Sequence, residues 1–114
     1  MIPKMPIPNA DRAVIAEEKL RTYLLNPSHK RGSGKAHVLA SIGFFERNWK
    51  DLEGAIRRDH LGQEPNATIS SHYGKRYQIL APITGPNGRA ASFHTIWQID
   101  IGTDYPRLIT MYPE

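Results

Sequence analysis

The chain of 114 residues contains no cysteine. That excludes a disulfide frame, a thiolate metal site and a thiol nucleophile, and it fits a reducing cytoplasm. No apolar run approaches the ~18 residues that a membrane-spanning helix needs, so no membrane partner is expected. The opening MIPKMPIPNA holds three prolines and lacks the apolar stretch of a secretory signal. Zinc-binding HExxH, paired cysteines, a P-loop and a GxSxG elbow are missing, and Gly32 and Gly34 are too few for a nucleotide-binding glycine loop. Neither a metal nor another cofactor is therefore expected. Apolar residues make up 39% of the chain, below the usual ~45–50%. Residues 1–114 read as one small domain that can bury a core with little to spare.

Acidic residues are also missing from two long windows. Between Lys19 and Phe45 there is no Asp or Glu, yet Lys19, Arg21, Lys30, Arg31 and Lys35 fall there, with His29 and His37. The second window, Pro65 to Ile99, holds Lys75, Arg76 and Arg89 with His72 and His94. Brought together by folding, the windows would form a positive surface suited to RNA or DNA. Left apart, they would be solvated cations around a small core.

The local grammar divides the chain into an extended arm (1–15), a helical part (16–62) and a sheet (66–113). AEEKLRTYLLN places Leu20, Tyr23 and Leu24 on one helical face and ends at Asn26-Pro27, where proline breaks the ladder. A short helix over about 34–42 follows, with Ser33 as its expected cap, and a third over 47–61 buries Trp49, Leu52 and Ile56. After Pro65 the period becomes two. NATISSHY, KRYQILAPIT, RAASFHTIWQID and PRLITMY read as four strands. Helices followed by a strand meander predict an α+β fold, its helices packed on one face of a four-stranded antiparallel sheet.

Gly85-Pro86-Asn87-Gly88 marks the hairpin between the second and third strands, and Asn-Gly suits a type I′ turn. Pairs across it are expected to sum to 173 or 175. That register places Arg76, Gln78, Leu80, Phe93, Thr95 and Trp97 on one face, and Tyr77, Ile79, Ile83, His94 and Ile96 on the other. The second, more aliphatic face should lie under the helices, leaving the first open for binding.

His29, Lys30 and Arg31 sit in a turn, with Lys35 near the start of the next helix. Histidine shuttles protons near neutral pH, and lysine adds charge to helix N–H groups that face a phosphate. These are the parts of metal-free RNA cleavage, in which the 2′-OH attacks phosphorus, a base and an acid move protons, and cations hold the pentavalent phosphate. Arg76 and Thr95 would add phosphate contacts, Lys30 and Arg31 would bind substrate, and Trp97 would stack on a base. Each residue also has an ordinary role: His29 and Lys35 at the surface, Trp97 in the core, Thr95 as a strand former. His94 reads as a hydrogen-bonded core histidine and stands in reserve as a base.

KLRTYLLNPSHKRGSGKAHVLASIGF, YGKRYQILAPITGPNGRAASFHTIW and PRLITMYP together resemble a bacterial family of unknown function. Its members occur as short stand-alone proteins and as C-terminal modules of polymorphic or contact-dependent toxins. The toxin modules look like the barnase–EndoU–colicin–RelE class of ribonuclease folds. The resemblance implies a site of His29, Lys35, Arg76, Thr95 and Trp97, with His94 standing where the family often has another basic or polar residue. It also implies a toxin–antitoxin pair whose small inhibitor, acidic by complementarity, covers the basic face. The expected function is a toxin-like metal-independent endoribonuclease. The alternative is a non-catalytic module binding RNA or protein through the same face, and a third reading is an inactivated toxin domain.

Overall fold

The structure is a computed structural model that describes residues 5–30 and 33–114. Arg31 and the Ser33 side chain, the expected cap, lie outside the described residues. Four antiparallel strands form one sheet in the order β1 (Ala67–Ser71), β2 (Gly74–Thr84), β3 (Ala90–Asp100) and β4 (Arg107–Pro113). Helices α1 (Ser33–Ser41) and α2 (Trp49–Asp59) precede it in the chain, and the helical part packs against the sheet. The α+β expectation holds.

From Met5 the N-terminal arm runs without helix or strand apart from a turn at Pro8-Asn9, where Asn9 is left-handed, and a 3-10 turn at Ala10–Arg12. It buries Ile7, Ala13 and Ile15. Val14 accepts from the Leu108 N–H and donates to the Pro106 carbonyl, a parallel bridge on the outer edge of β4. The first predicted helix winds instead as a π turn over Lys19–Leu24, closed by Leu25 N–H to Leu20 O at 2.8 Å. Leu20 and Leu24 are buried as their spacing requires, because one wide turn still returns both to the core side.

The β2–β3 register departs from expectation by one residue. Thr84 lies opposite Ala90 and Ile79 opposite Thr95, so paired numbers sum to 174. The cause is Pro86: a two-residue turn over Asn87-Gly88 would pair Pro86 with Arg89, for which proline has no N–H, and one over Pro86-Asn87 would need a positive φ that its ring forbids. The chain instead turns over Gly85–Gly88, with Gly88 N–H bonding Gly85 O at 3.0 Å, and Gly88 alone takes a positive φ of 85°. This is a three-residue loop with a bulge at Gly88, so it shifts the count by one. Gly85 also packs against Ile42 so closely that a Cβ would lie 1.7 Å from the Ile42 carbonyl oxygen.

A one-residue shift turns every β3 side chain to the opposite face. Tyr77, Ile79, Ala81 and Ile83 of β2 therefore share the covered face with Phe93, Thr95 and Trp97 of β3. They pack in one core with Leu20, Leu39, Phe44, Leu52 and Ile56. A β-bulge in β4 opposite Ile96 and Trp97 keeps both Leu108 and Met111 on the buried side. Arg76, Gln78 and Leu80 lie on the uncovered face with His94, Ile96 and Gln98.

Candidate active site on the uncovered sheet face

Three rows of side chains cross the uncovered face, as pairing dictates. The first is Leu80, His94 and Tyr112, the second Ala67, Gln78, Ile96 and Thr110, and the third Ile69, Arg76, Gln98 and Arg107. In the first, the His94 and Tyr112 rings stack at 4.7 Å with 20° between their planes. Gln78 ties them together, its amide nitrogen lying 2.7 Å from His94 Nδ1 and 3.2 Å from the Tyr112 hydroxyl. Because the amide nitrogen is a donor, Nδ1 accepts, and the neutral ring carries its proton on Nε2, which can donate to a ligand.

At the β4 end of the second row, Lys35 of α1 donates from Nζ to Thr110 Oγ1 at 3.2 Å and to the Tyr23 hydroxyl at 2.7 Å. The ammonium also lies 4.6 Å from the centre of the Tyr23 ring. His29 stacks on the same ring at 4.9 Å and 17°. The Lys35 hydrogen bond, outweighing the cost of burial, pulls the Tyr23 phenol below its ordinary pKa; Thr110 and Lys19 act in the same direction. Thr110 and Tyr112 are two residues apart on one strand, so the Lys35 cluster and the His94 cluster are neighbours along one strand face.

In the third row the exposed Arg76 guanidinium donates to Gln98 Oε1 at 2.8 Å, and Gln98 passes a bond of 2.6 Å to Asp100. Asp100 pairs with Arg107 at 2.6 Å, which holds its carboxyl below the usual range. Among the described residues, Lys35 and Arg76 meet only neutral partners and pair with no carboxylate. Their charge is therefore available to an anion.

The sequence-derived site thus divides. His29 and Lys35 meet through Tyr23 beside Thr110 of β4, whereas Arg76 lies on the same sheet face as Thr110 but two strands away on β2, bonded to Gln98. Lys30 is exposed beside His29. Thr95 and Trp97 do not join them: both are fully buried on the covered face. Trp97 Nε1–H donates to Thr95 Oγ1 at 2.9 Å, and Thr95 Oγ1 meets His60 Nδ1 at 2.7 Å. His60 Nε2 lies 3.0 Å from the Ala81 carbonyl, an acceptor only, so the ring proton sits on Nε2 and Thr95 donates to Nδ1. Burial lowers the His60 pKa and keeps the ring neutral. This chain satisfies every polar group it buries and is structural. His94, expected in the core, is the histidine that lies on the uncovered face. Tyr23, Thr110 and Tyr112 are additions that the sequence spacing did not mark, while Gln78 stays on the open face where the spacing put it.

Among the described residues, no group of three His, Cys, Asp or Glu side chains is placed to share a metal ion. No described helix is long and apolar enough to cross a membrane. No curated protein and no solved structure matches the chain. A family model does match, over residues 6–114, and the chain belongs to that family, described as a domain of unknown function (DUF6883).

Proposed function

We propose that the chain is a metal-independent endoribonuclease of the toxin type, with its active site on the uncovered sheet face. The observation that carries the reading is the pair of histidine–tyrosine stacks, His29 on Tyr23 and His94 on Tyr112, beside the uncompensated Lys35 ammonium. Lys35 and Arg76 supply positive charge for a phosphate as it becomes pentavalent. A histidine takes the 2′-OH proton, and a group on the far side of the phosphate returns one to the leaving oxygen. His94, whose Nδ1 accepts from the Gln78 amide, offers its Nε2–H to a phosphate oxygen, and the first role falls to His29. Lys30 extends the cationic surface toward the RNA backbone. Thr95 and Trp97 have no part in this site, and base stacking falls to the exposed sides of the tyrosine–histidine pairs. A small acidic protein fits the same face as a cognate inhibitor.

The test is incubation of the purified protein with total bacterial RNA in EDTA, beside His94→Ala, Lys35→Ala and His29→Ala. Discrete fragments ending in 2′,3′-cyclic phosphate are expected from the wild type, with losses of ~10²-fold or more in His29→Ala and Lys35→Ala and a smaller loss in His94→Ala. Intact RNA would overturn the enzyme reading. RNA retention that falls with salt, and falls in steps as Lys30, Lys35 and Arg76 are removed, would then favour the binding module.

A further inference from the structure

We propose that β1 is the pairing edge of a two-fold dimer, in which a second copy of this chain adds its own β1 antiparallel and the two sheets become one. The inference stands whether or not the chain cuts RNA. The two edges of the sheet are guarded differently. On the β4 side the arm bridges Arg107 through Val14, Lys35 of α1 reaches Thr110, and Pro113 ends the strand with no N–H to offer. On the β1 side no described strand pairs with the outer edge, and every residue from Ala67 to Ser71 is exposed. Pairing alternates along a strand, so every second residue of β1 turns its N–H and C=O outward. Edges that stay single usually carry a lysine, a proline or a bulge. Ala67–Ser71 has neither charge nor proline, and its register with β2 runs unbroken.

The segment is self-complementary. A two-fold centred on Ile69 pairs the whole strand: Ile69 with Ile69 of the second copy, Thr68 with Ser70, and Ala67 with Ser71. Ile69, 64% exposed and the one large apolar side chain of the strand, covers its own copy on the uncovered face. Thr68 and Ser70 meet on the opposite face, as a pair whose hydroxyls can exchange a hydrogen bond. Charge favours the same order. Exposed Glu64 precedes β1 and exposed Lys75 lies beside its far end, so antiparallel copies place an acid and a base at the same end of the seam, whereas parallel copies would gather like charges. Arg76, paired with Ile69, lies three strand spacings from its counterpart, about 14 Å, beyond the ~8–10 Å screening length at ordinary salt. The seam offers 5 residues a side against the ~20–30 of a standard interface, so the dimer is weak and forms with rising concentration.

The absence of cysteine makes the register readable by cross-linking. Ile69→Cys, Thr68→Cys and Ser70→Cys are oxidised alone and in mixtures, with exposed Lys50→Cys as the collision control. Residues directly opposite lie within disulfide reach, and diagonal ones do not. Ile69→Cys should therefore join to itself, and Thr68→Cys to Ser70→Cys, each at least ~10-fold faster than Lys50→Cys or Thr68→Cys joins to itself. In sedimentation the apparent mass of the unmodified chain should rise toward twice the monomer between micromolar and millimolar concentration. Ile69→Lys alters only an exposed side chain but sets like charges opposite each other, and should raise the dissociation constant at least ~10-fold at an unchanged melting temperature. A chain that stays monomeric, a dimer indifferent to Ile69→Lys, or cross-linking in another register would overturn the proposal. So would a monomer whose β1 amides gain protection from hydrogen exchange only when a different protein is added, which would give the edge to that partner.

Discussion

The two faces of this sheet carry the same residue types and use them differently. The covered face holds a histidine, a threonine and an aromatic ring in His60, Thr95 and Trp97, closed on one another and on the Ala81 carbonyl, with nothing left for a ligand. The uncovered face holds the same types in His94, Thr110 and Tyr112, and there the polar atoms are only partly buried beside a lysine. On the proposed reading, function follows exposure and charge rather than residue type. A buried histidine kept neutral by desolvation stabilises a core, whereas one on the uncovered face keeps a ring N–H for a ligand.

Unfolding measurements should separate the faces, from the largest effect to the smallest. Trp97→Ala empties the centre of the covered face and should cost about 3–5 kcal/mol in denaturant unfolding. Thr95→Val keeps the shape but leaves the Trp97 N–H and His60 Nδ1 without a partner, and should cost about 1–3 kcal/mol.

Acid comes next. The folded His60 pKa lies below its ordinary value, so below about 6.5 the unfolded chain binds a proton that the folded chain refuses. Stability is then full above about 6.5 and falls with pH through the window down to the folded pKa. Asp59 and Asp100 are held below the usual carboxylate range by hydrogen bonds from Arg58 and Arg107, so their own losses belong to a more acidic window. Thermal melts of His60→Gln against pH should lack the first decline. His94→Ala, on the uncovered face, should change stability by no more than about 0.5 kcal/mol while slowing the proposed cleavage. Equal destabilisation by His94→Ala and Thr95→Val would erase the distinction between the faces.

The order of elements was legible because apolar spacing changes from helical period to alternation after Pro65. The division of the site was not legible, and one proline explains much of the failure. Asn87-Gly88 invites a two-residue loop, but Pro86 permits only the three-residue form, and the extra residue exchanges His94 for Thr95 between faces. The π turn was hidden because Leu20 and Leu24 fit an ordinary helix equally well. Tyr23, Lys35 and Thr110 converge from three distant segments, so no local spacing could join them. His60 falls within the helix expected over 47–61 with no local mark of its own, and its role needed Thr95 and Ala81 in place.

The most direct test of the central claim is a two-dimensional NMR titration with a short 2′-deoxy oligonucleotide, which cannot undergo attack by a 2′-OH. The account predicts that resonances of Lys35, Gln78, His94, Thr110 and Tyr112 shift together while the Trp97 indole N–H stays in place. Shifts gathered instead in the groove of about 640 Å³ lined by Arg21, His37 and Arg47, or no shifts at all, would contradict it.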